Sequence, residues 1–243
     1  MAAAFVDAAA GGGGLVQVPA LLILFPAVPY PMLAGTNKIA SGCGTLVALG
    51  KFRTAIKIPR SALFLVPLTF AGSYAGACLV SSINQRMVRP GVAIILAGVW
   101  LLASIRKAPN PDLDKEELPY RLNGWIPLAL ALTIGFYDGL IGPGTGLFLI
   151  YGFVYWVGVT YLQASALAKL LNLTSNVAAI IYFSFHGSFL PLLLPYMIPA
   201  QVLGGYLGAK AAVKWGSKFI RSISLWVTAL LVLKLVWDVA LGR

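Results

Sequence analysis

Charge is scarce in this chain. Only 10% of its 243 residues are Asp, Glu, Lys or Arg, where a soluble domain carries roughly 25%. Set beside 59% hydrophobic residues, that shortage excludes a water-soluble globular fold. Histidine occurs once, at His186, and cysteine twice, at Cys43 and Cys78 in separate apolar stretches. They assemble no zinc or haem ligand set and no C-x-x-C pair, and the cysteines read as small apolar core residues. No segment fits G-x-x-x-x-G-K-[ST], so no nucleotide-binding loop is expected. The 7 acidic residues are scattered and form no catalytic set with the lone histidine, so no enzyme, cofactor or metal is expected. A charged leader and a small-residue cleavage site are also missing at the N-terminus, and no removable signal is expected.

What is present is apolar sequence in long blocks. The stretches near 61–82, 88–105, 124–157, 161–185, 189–209 and 222–241 can each cross a bilayer, which takes about 20 residues per helix. The chain therefore reads as one all-α, multi-pass domain over 1–243, set in a plasma-type (inner) membrane with the lipid bilayer as its partner. The net charge of +11 does not imply nucleic acid. Most basic residues fall in short loops between apolar blocks, where they set orientation, and no base-reading motif interleaves them with aromatics.

The same pattern occurs twice. Phe5, Asp7, Gly11, Gly13, Tyr30, Lys38 and Phe52 recur 131 residues later as Phe136, Asp138, Gly142, Gly144, Tyr161, Lys169 and Phe183. After a one-residue insertion, Gly72, Tyr74, Gly76, Ala77 and Arg89 match Gly204, Tyr206, Gly208, Ala209 and Arg221. Duplicated halves with paired glycine breaks and paired membrane charges are a frequent plan of secondary transporters. Repeat one covers 1–106, a polar linker with three prolines covers 107–123, and repeat two covers 124–243. Each half has a glycine-broken pair of short arms (2–10 with 15–27, and 124–141 with 145–157). A helix follows near 34–50 or 161–185. Two more complete each half, at 61–82 with 88–105 and at 189–212 with 218–241. The arm 2–10 is about half the length of its counterpart, which leaves open either a short start or a missing N-terminal piece and puts the role of Asp7 in doubt.

Loop charge selects between two topologies. If each broken pair crosses the membrane once, the repeats are parallel and Lys plus Arg divide 9 to 6 between the sides. If each is a hairpin returning to its own side, the repeats are inverted and the division is 12 to 3. The second obeys the positive-inside rule far better. It puts both termini outside and the linker inside.

The chemistry gathers at the glycine breaks, Gly11-Gly12-Gly13-Gly14 and Gly142-Pro143-Gly144-Thr145-Gly146. Such backbone survives at membrane depth only when buried in protein or lining a wet cavity. The arms that follow would point positive helix ends at one place, a ready anion site. Gly72, Gly76, Gly204 and Gly208 read instead as close helix packing. Lys38 and Lys169 sit singly in apolar helices, at a cost of at least about 2.5 kcal/mol on insertion scales, which marks a functional candidate over a snorkelling one. Paired with two glycine nests they would focus positive potential suited to a small dianion. Asn37, Ser41 and Thr45 follow Lys38 near one face, and Asn172 and Asn176 follow Lys169; these could complete an oxyanion's hydrogen bonds or merely join helices. Asp7 and Asp138, four residues before each break, would neutralise the lysines, carry a proton or cap the break. Lys234 and Asp238 read as an interfacial anchoring pair around Trp237.

Three segments, FVDAAAGGGGLVQVPALL, GTNKIASGCGT and GFYDGLIGPGTG, resemble motifs of the sulfite exporter TauE/SafE family, also called the toluene sulfonate uptake permease family. The resemblance runs from Phe5 to about Trp237. It implies a secondary transporter of small sulfur-containing anions such as sulfite, thiosulfate or organosulfonates. It carries a substrate-site role onto Gly11 to Gly14, Asn37, Lys38, Asp138, Gly142, Gly144, Gly146, Lys169 and Asn172. The expectation is a carrier working by alternating access, with energy from a proton or other ion gradient, a partner protein or the substrate gradient. The rival readings are an anion channel, a membrane-embedded enzyme and a structural membrane subunit.

Overall fold

The computed structural model describes residues 1–82, 101, 122 and 124–240, and among these the chain is helical with no strand. Apart from Leu101 and Leu122, the helix expected over 88–105 and the linker over 107–123 lie outside the described residues. So do Arg86, Arg89, Arg243 and the side chains of Lys234, Trp237 and Asp238.

Glycine and proline set the element ends. Helix α1, Ala2–Ala10, stops where Gly11 turns left-handed at φ 79°, and the Gly11 N–H donates back to the Asp7 carbonyl. Helix α2, Gly14–Leu24, completes the first hairpin. Helix α3, Tyr30–Arg53, begins at Pro29 and runs a turn longer at its start than the expected 34–50, because proline tolerates the first turn of a helix. A 3₁₀ turn, Arg60–Phe64, leads into α4, Leu65–Leu79. The second hairpin is α5, Trp125–Leu140, and α6, Thr145–Gly152, which continues as a π-helical turn through Val157. Helix α7, Tyr161–Phe185, starts at a reciprocal cap between Thr160 and Gln163. Helix α8, Leu194–Ala240, breaks at Gly216 (φ 68°, ψ −163°), between the two helices expected at 189–212 and 218–241.

Arg60–Leu79, Tyr161–Phe185 and Pro191–Leu230 are long and apolar enough to cross a membrane. Helix α3 has the length, about 36 Å at 1.5 Å per residue, but a more polar composition because Asn37, Lys38 and Ser41 face inward onto a cavity. The chain is a multi-pass membrane protein. Apolar side chains such as Leu63, Phe64, Leu203 and Leu230 cover its outside, and Cys78 is on that face, not in the core. An apolar exterior suits lipid, so a thiol there is as well placed as in a core.

At the centre α3 packs on α7. The first hairpin's α1 lies against α8, and the second hairpin's α5 lies against α4. Both contacts use small residues. A Cβ on Gly72 or Gly76 would meet the carbonyl oxygens of Leu132 or Phe136, and one on Gly204 or Gly208 would meet those of Met1 or Phe5. The four glycines expected to serve packing therefore sit at the helix contacts themselves, where backbones approach closely enough to exclude any side chain.

Candidate functional site

The two glycine breaks touch each other. A Cβ on Gly11 would overlap the backbone of Gly146, the reverse holds for Gly146, and the Leu147 N–H donates to the Gly11 carbonyl at 3.2 Å. Gly142 and Gly144 both need positive φ, 87° and 90°. The Tyr30 hydroxyl donates to the Ile141 carbonyl and the Tyr137 hydroxyl to the Pro143 carbonyl, each at 2.6 Å, so the second break is held from α3 and α5.

Around this contact the lysines and aspartates pair crosswise. The Lys38 Nζ of α3 lies 2.6 Å from Asp138 Oδ2 at the end of α5. The Lys169 Nζ of α7 lies 2.9 Å from Asp7 Oδ2 and 2.5 Å from the Asp7 carbonyl, at the end of α1. Each lysine thus crosses to the opposite hairpin and meets the negative end of a helix as well as a carboxylate. A carboxylate at a helix C-terminus is poorly placed by itself, and a lysine beside it offsets that. The summed formal charge of the four groups is zero, not the positive focus expected from the lysines and glycines alone.

The pairs are unequal. Asp138, its side chain 3% exposed, also accepts from the hydroxyls of Thr145, at 2.7 Å, and Ser175. Asp7, its side chain 21% exposed, has the Gly13 N–H as a further donor, at 3.3 Å.

A polar cavity opens between the breaks. It offers about 30 Å³ to the centres of water-sized molecules, enough for about two waters or one small anion. Of the residues expected at the site, Asp7, Gly11, Gly14, Asn37, Lys38, Ser41, Asp138, Gly142, Gly144, Gly146 and Asn172 line it. Gly12, Gly13 and Lys169 do not. Gly12 packs on Val227 and Leu147, Gly13 packs on α1, and Lys169 stands behind Asp7. Thr45 is buried one turn beyond the wall. Asn176 reaches it and donates to Asn172. The Asn37 Oδ1 is buried there with no partner in the protein. Gly14, Gly144, Thr145 and Gly146 bring the starts of α2 and α6 to the wall. Most of the first N–H groups there already donate to the breaks, those of Leu15 and Val16 to Gly12 and Gly13 and those of Thr145 and Leu147 to Gly142 and Gly11, which leaves the Gly14 and Gly146 N–H groups to face a ligand.

Sequence reasoning missed Gln17, Thr145 and Gln201 on the wall and Ser175 just behind it. The Gln201 amide donates to the Gln17 side chain, joining α8 to α2. Each glutamine is a single amide in an apolar run, a signal that could have pointed to them. Among the described residues, no three His, Cys, Asp or Glu side chains gather as a metal site would require. His186 lies at the exposed end of α7, stacked on Tyr182.

The model of the family described as "Sulfite exporter TauE/SafE" matches residues 1–235. The chain belongs to this family. Among its relatives is a "probable membrane transporter protein" of Haemophilus influenzae, 33% identical over 97% of this chain and 91% of the relative. The "probable membrane transporter protein YfcA" of Escherichia coli is 34% identical over 98% and 87%. A third, YunE of Bacillus subtilis, is 25% identical over 93% and 90%. No solved structure matches. Family and relatives alike point to membrane transport, with names that describe transporters and not enzymes.

Proposed function

We propose that this chain is a secondary transporter of small sulfur-containing anions, sulfite, thiosulfate or an organosulfonate, working by alternating access in the plasma (inner) membrane. The observation that carries the reading is the crossed arrangement of Lys38–Asp138 and Lys169–Asp7 around one small cavity where two glycine breaks meet. An anion in that cavity would find the Lys38 ammonium, the Gly14 and Gly146 N–H groups at the starts of α2 and α6, and the amides of Asn37, Asn172 and Gln201. These donors suit an oxyanion's several acceptor oxygens.

The architecture we infer is a pair of inverted repeats, 1–106 and 124–243. Two facts support it. Gly72 and Gly76 face Leu132 and Phe136 just as Gly204 and Gly208 face Met1 and Phe5, and each lysine reaches the other half's aspartate. Such contacts let one hairpin exchange its packing while the other takes up the equivalent arrangement, the geometry alternating access needs.

The test is flux of radiolabelled sulfite and thiosulfate into liposomes holding purified protein. Saturable uptake with counterflow, abolished by Lys38→Ala and by Lys169→Ala in well-folded protein, is the expected result. Wild-type flux in both variants would remove the site assignment. Unitary conductance without counterflow would replace the carrier with a channel.

A further inference from the structure

We propose that Asp7, and not its repeat counterpart Asp138, is the coupling group, taking up one proton as the anion binds; this rests on the transport reading above. The difference between them is written into the repeat. The hydroxyls that hold Asp138 belong to Thr145 and Ser175, and the residues 131 positions earlier are Gly14 and Gly44, which have no side chain to offer Asp7. Asp138 is therefore held by Lys38 and two hydroxyls, three partners on one nearly buried carboxylate. Asp7 has Lys169 and one long backbone N–H, and is about one fifth exposed to the cavity.

The charges that face Asp7 come from three helices. Lys169 reaches it from α7, Lys38 stands across the cavity on α3, and Asp138 lies beyond Lys38 on α5. Helices α8 and α2 present the uncharged amides of Gln201 and Gln17, and α6 the Thr145 hydroxyl. Two ammoniums and two carboxylates leave the site neutral. An anion arriving alone would give it a net negative charge inside the membrane, where an uncompensated ion is disfavoured.

One proton from water on the loading side, forming an O–H bond on the Asp7 carboxylate, restores neutrality for a monoanion. It also frees the Lys169 ammonium, which Asp7 screens from the cavity. On the far side the anion leaves, the O–H bond breaks, the proton returns to water and the carboxylate resumes its place on Lys169. Asp138 stays ionised throughout. A wet, weakly held carboxylate can exchange a proton and reorient at low cost, whereas one bound by a lysine and two hydroxyls must break all three interactions.

The experiment measures proton and anion fluxes together in proteoliposomes with an internal pH dye. The probe is radiolabelled methanesulfonate, a monoanion that binds no proton near neutral pH. Wild type should move about one proton per anion, as linkage requires of a group protonated only in the loaded state. Asp7→Asn should bring that ratio close to zero, and Asp7→Glu should restore it. Asp138→Asn should depress both fluxes and leave the ratio unchanged. A second measurement covers the case of a variant that fails to fold. Adding methanesulfonate to weakly buffered, detergent-solubilised wild type should draw about one proton per anion bound out of solution. No such uptake, or a wild-type ratio in Asp7→Asn, would overturn the proposal while leaving the transport reading standing. An absence of all anion flux and binding in wild type would overturn both.

Discussion

The two ion pairs at the heart of the molecule occupy matching positions and live in different surroundings. Lys38–Asp138 is short, nearly buried at the cavity wall and backed by the hydroxyls of Thr145 and Ser175. Lys169–Asp7 has a fully buried lysine and a carboxylate open to the cavity. Each side of the site has one lysine and one aspartate, at positions 131 residues apart in the chain. Two glycine-for-hydroxyl differences then make one side fixed and the other adjustable. A transporter needs both properties, since a site with two locked pairs cannot release its ligand and one with two loose pairs cannot hold its helices together.

The largest effect should come from breaking the more deeply buried carboxylate's pair, Lys38–Asp138. Lys38→Ala leaves the Asp138 carboxylate buried without its cation, and removing one partner of a buried pair costs about 3–5 kcal/mol. Lys169→Ala should cost less, because the Asp7 carboxylate is the more exposed of the two. Denaturation midpoints of the two variants in detergent measure the difference, and equal losses would remove the distinction drawn between the pairs. Replacing both members, Lys38→Ala with Asp138→Ala, should recover much of the stability without restoring transport. Recovery of stability alone separates the pair's structural part from its part in anion binding.

Next in size is the hydroxyl support of Asp138. Thr145→Val keeps the shape of the side chain and removes a hydrogen bond to a buried charge, worth about 1.5–3 kcal/mol. The corresponding position in the other half is Gly14, so no equivalent loss exists there. Thr145→Val should also shift part of the proton exchange onto Asp138, read as a residual proton flux in the Asp7→Asn background. No residual flux would mean that Ser175 and Lys38 suffice to hold Asp138.

Much of this arrangement could be read from the chain, for reasons that also explain what could not. Helix ends at Gly11, at Gly144 and near Gly216 were visible because glycine and proline act locally on the backbone. Lys38 and Lys169 were visible because a charge in an apolar helix demands a partner. Which aspartate each would meet was not, since that depends on how two hairpins pass each other, and no local pattern encodes it. Of the roles read for Asp7 and Asp138, the structure shows the ion pairs, whose formal charges sum to zero at the breaks. Gly12 and Gly13 look like Gly11 and Gly14 in sequence, yet only the latter two line the cavity. Thr145, Ser175, Gln17 and Gln201 were passed over because an uncharged polar side chain in an apolar run also reads as helix packing.

The smallest expected change is the most direct test of the asymmetry. Gly14→Ser places a hydroxyl where repeat two has Thr145, so Asp7 gains the kind of partner that Asp138 already has. The site has room, though little: a Cβ at Gly14 would lie 3.3 Å from the Pro143 Cα, a close contact that a small shift of the second break can relieve. The other missing partner cannot be supplied so simply, because a Cβ at Gly44 would come within 2.7 Å of the Gln201 carbonyl oxygen between α3 and α8. Stability should change by no more than about 1 kcal/mol, a hydrogen bond gained against a contact tightened. Transport should change more than stability does. An Asp7 held by both Lys169 and a hydroxyl has an added interaction to break before it can take a proton, so the proton-to-anion ratio should fall and uptake should respond less to an imposed pH gradient. An unchanged ratio in a variant that binds anion normally would mean that the openness of Asp7 to the cavity, and not the number of its partners, sets its exchange.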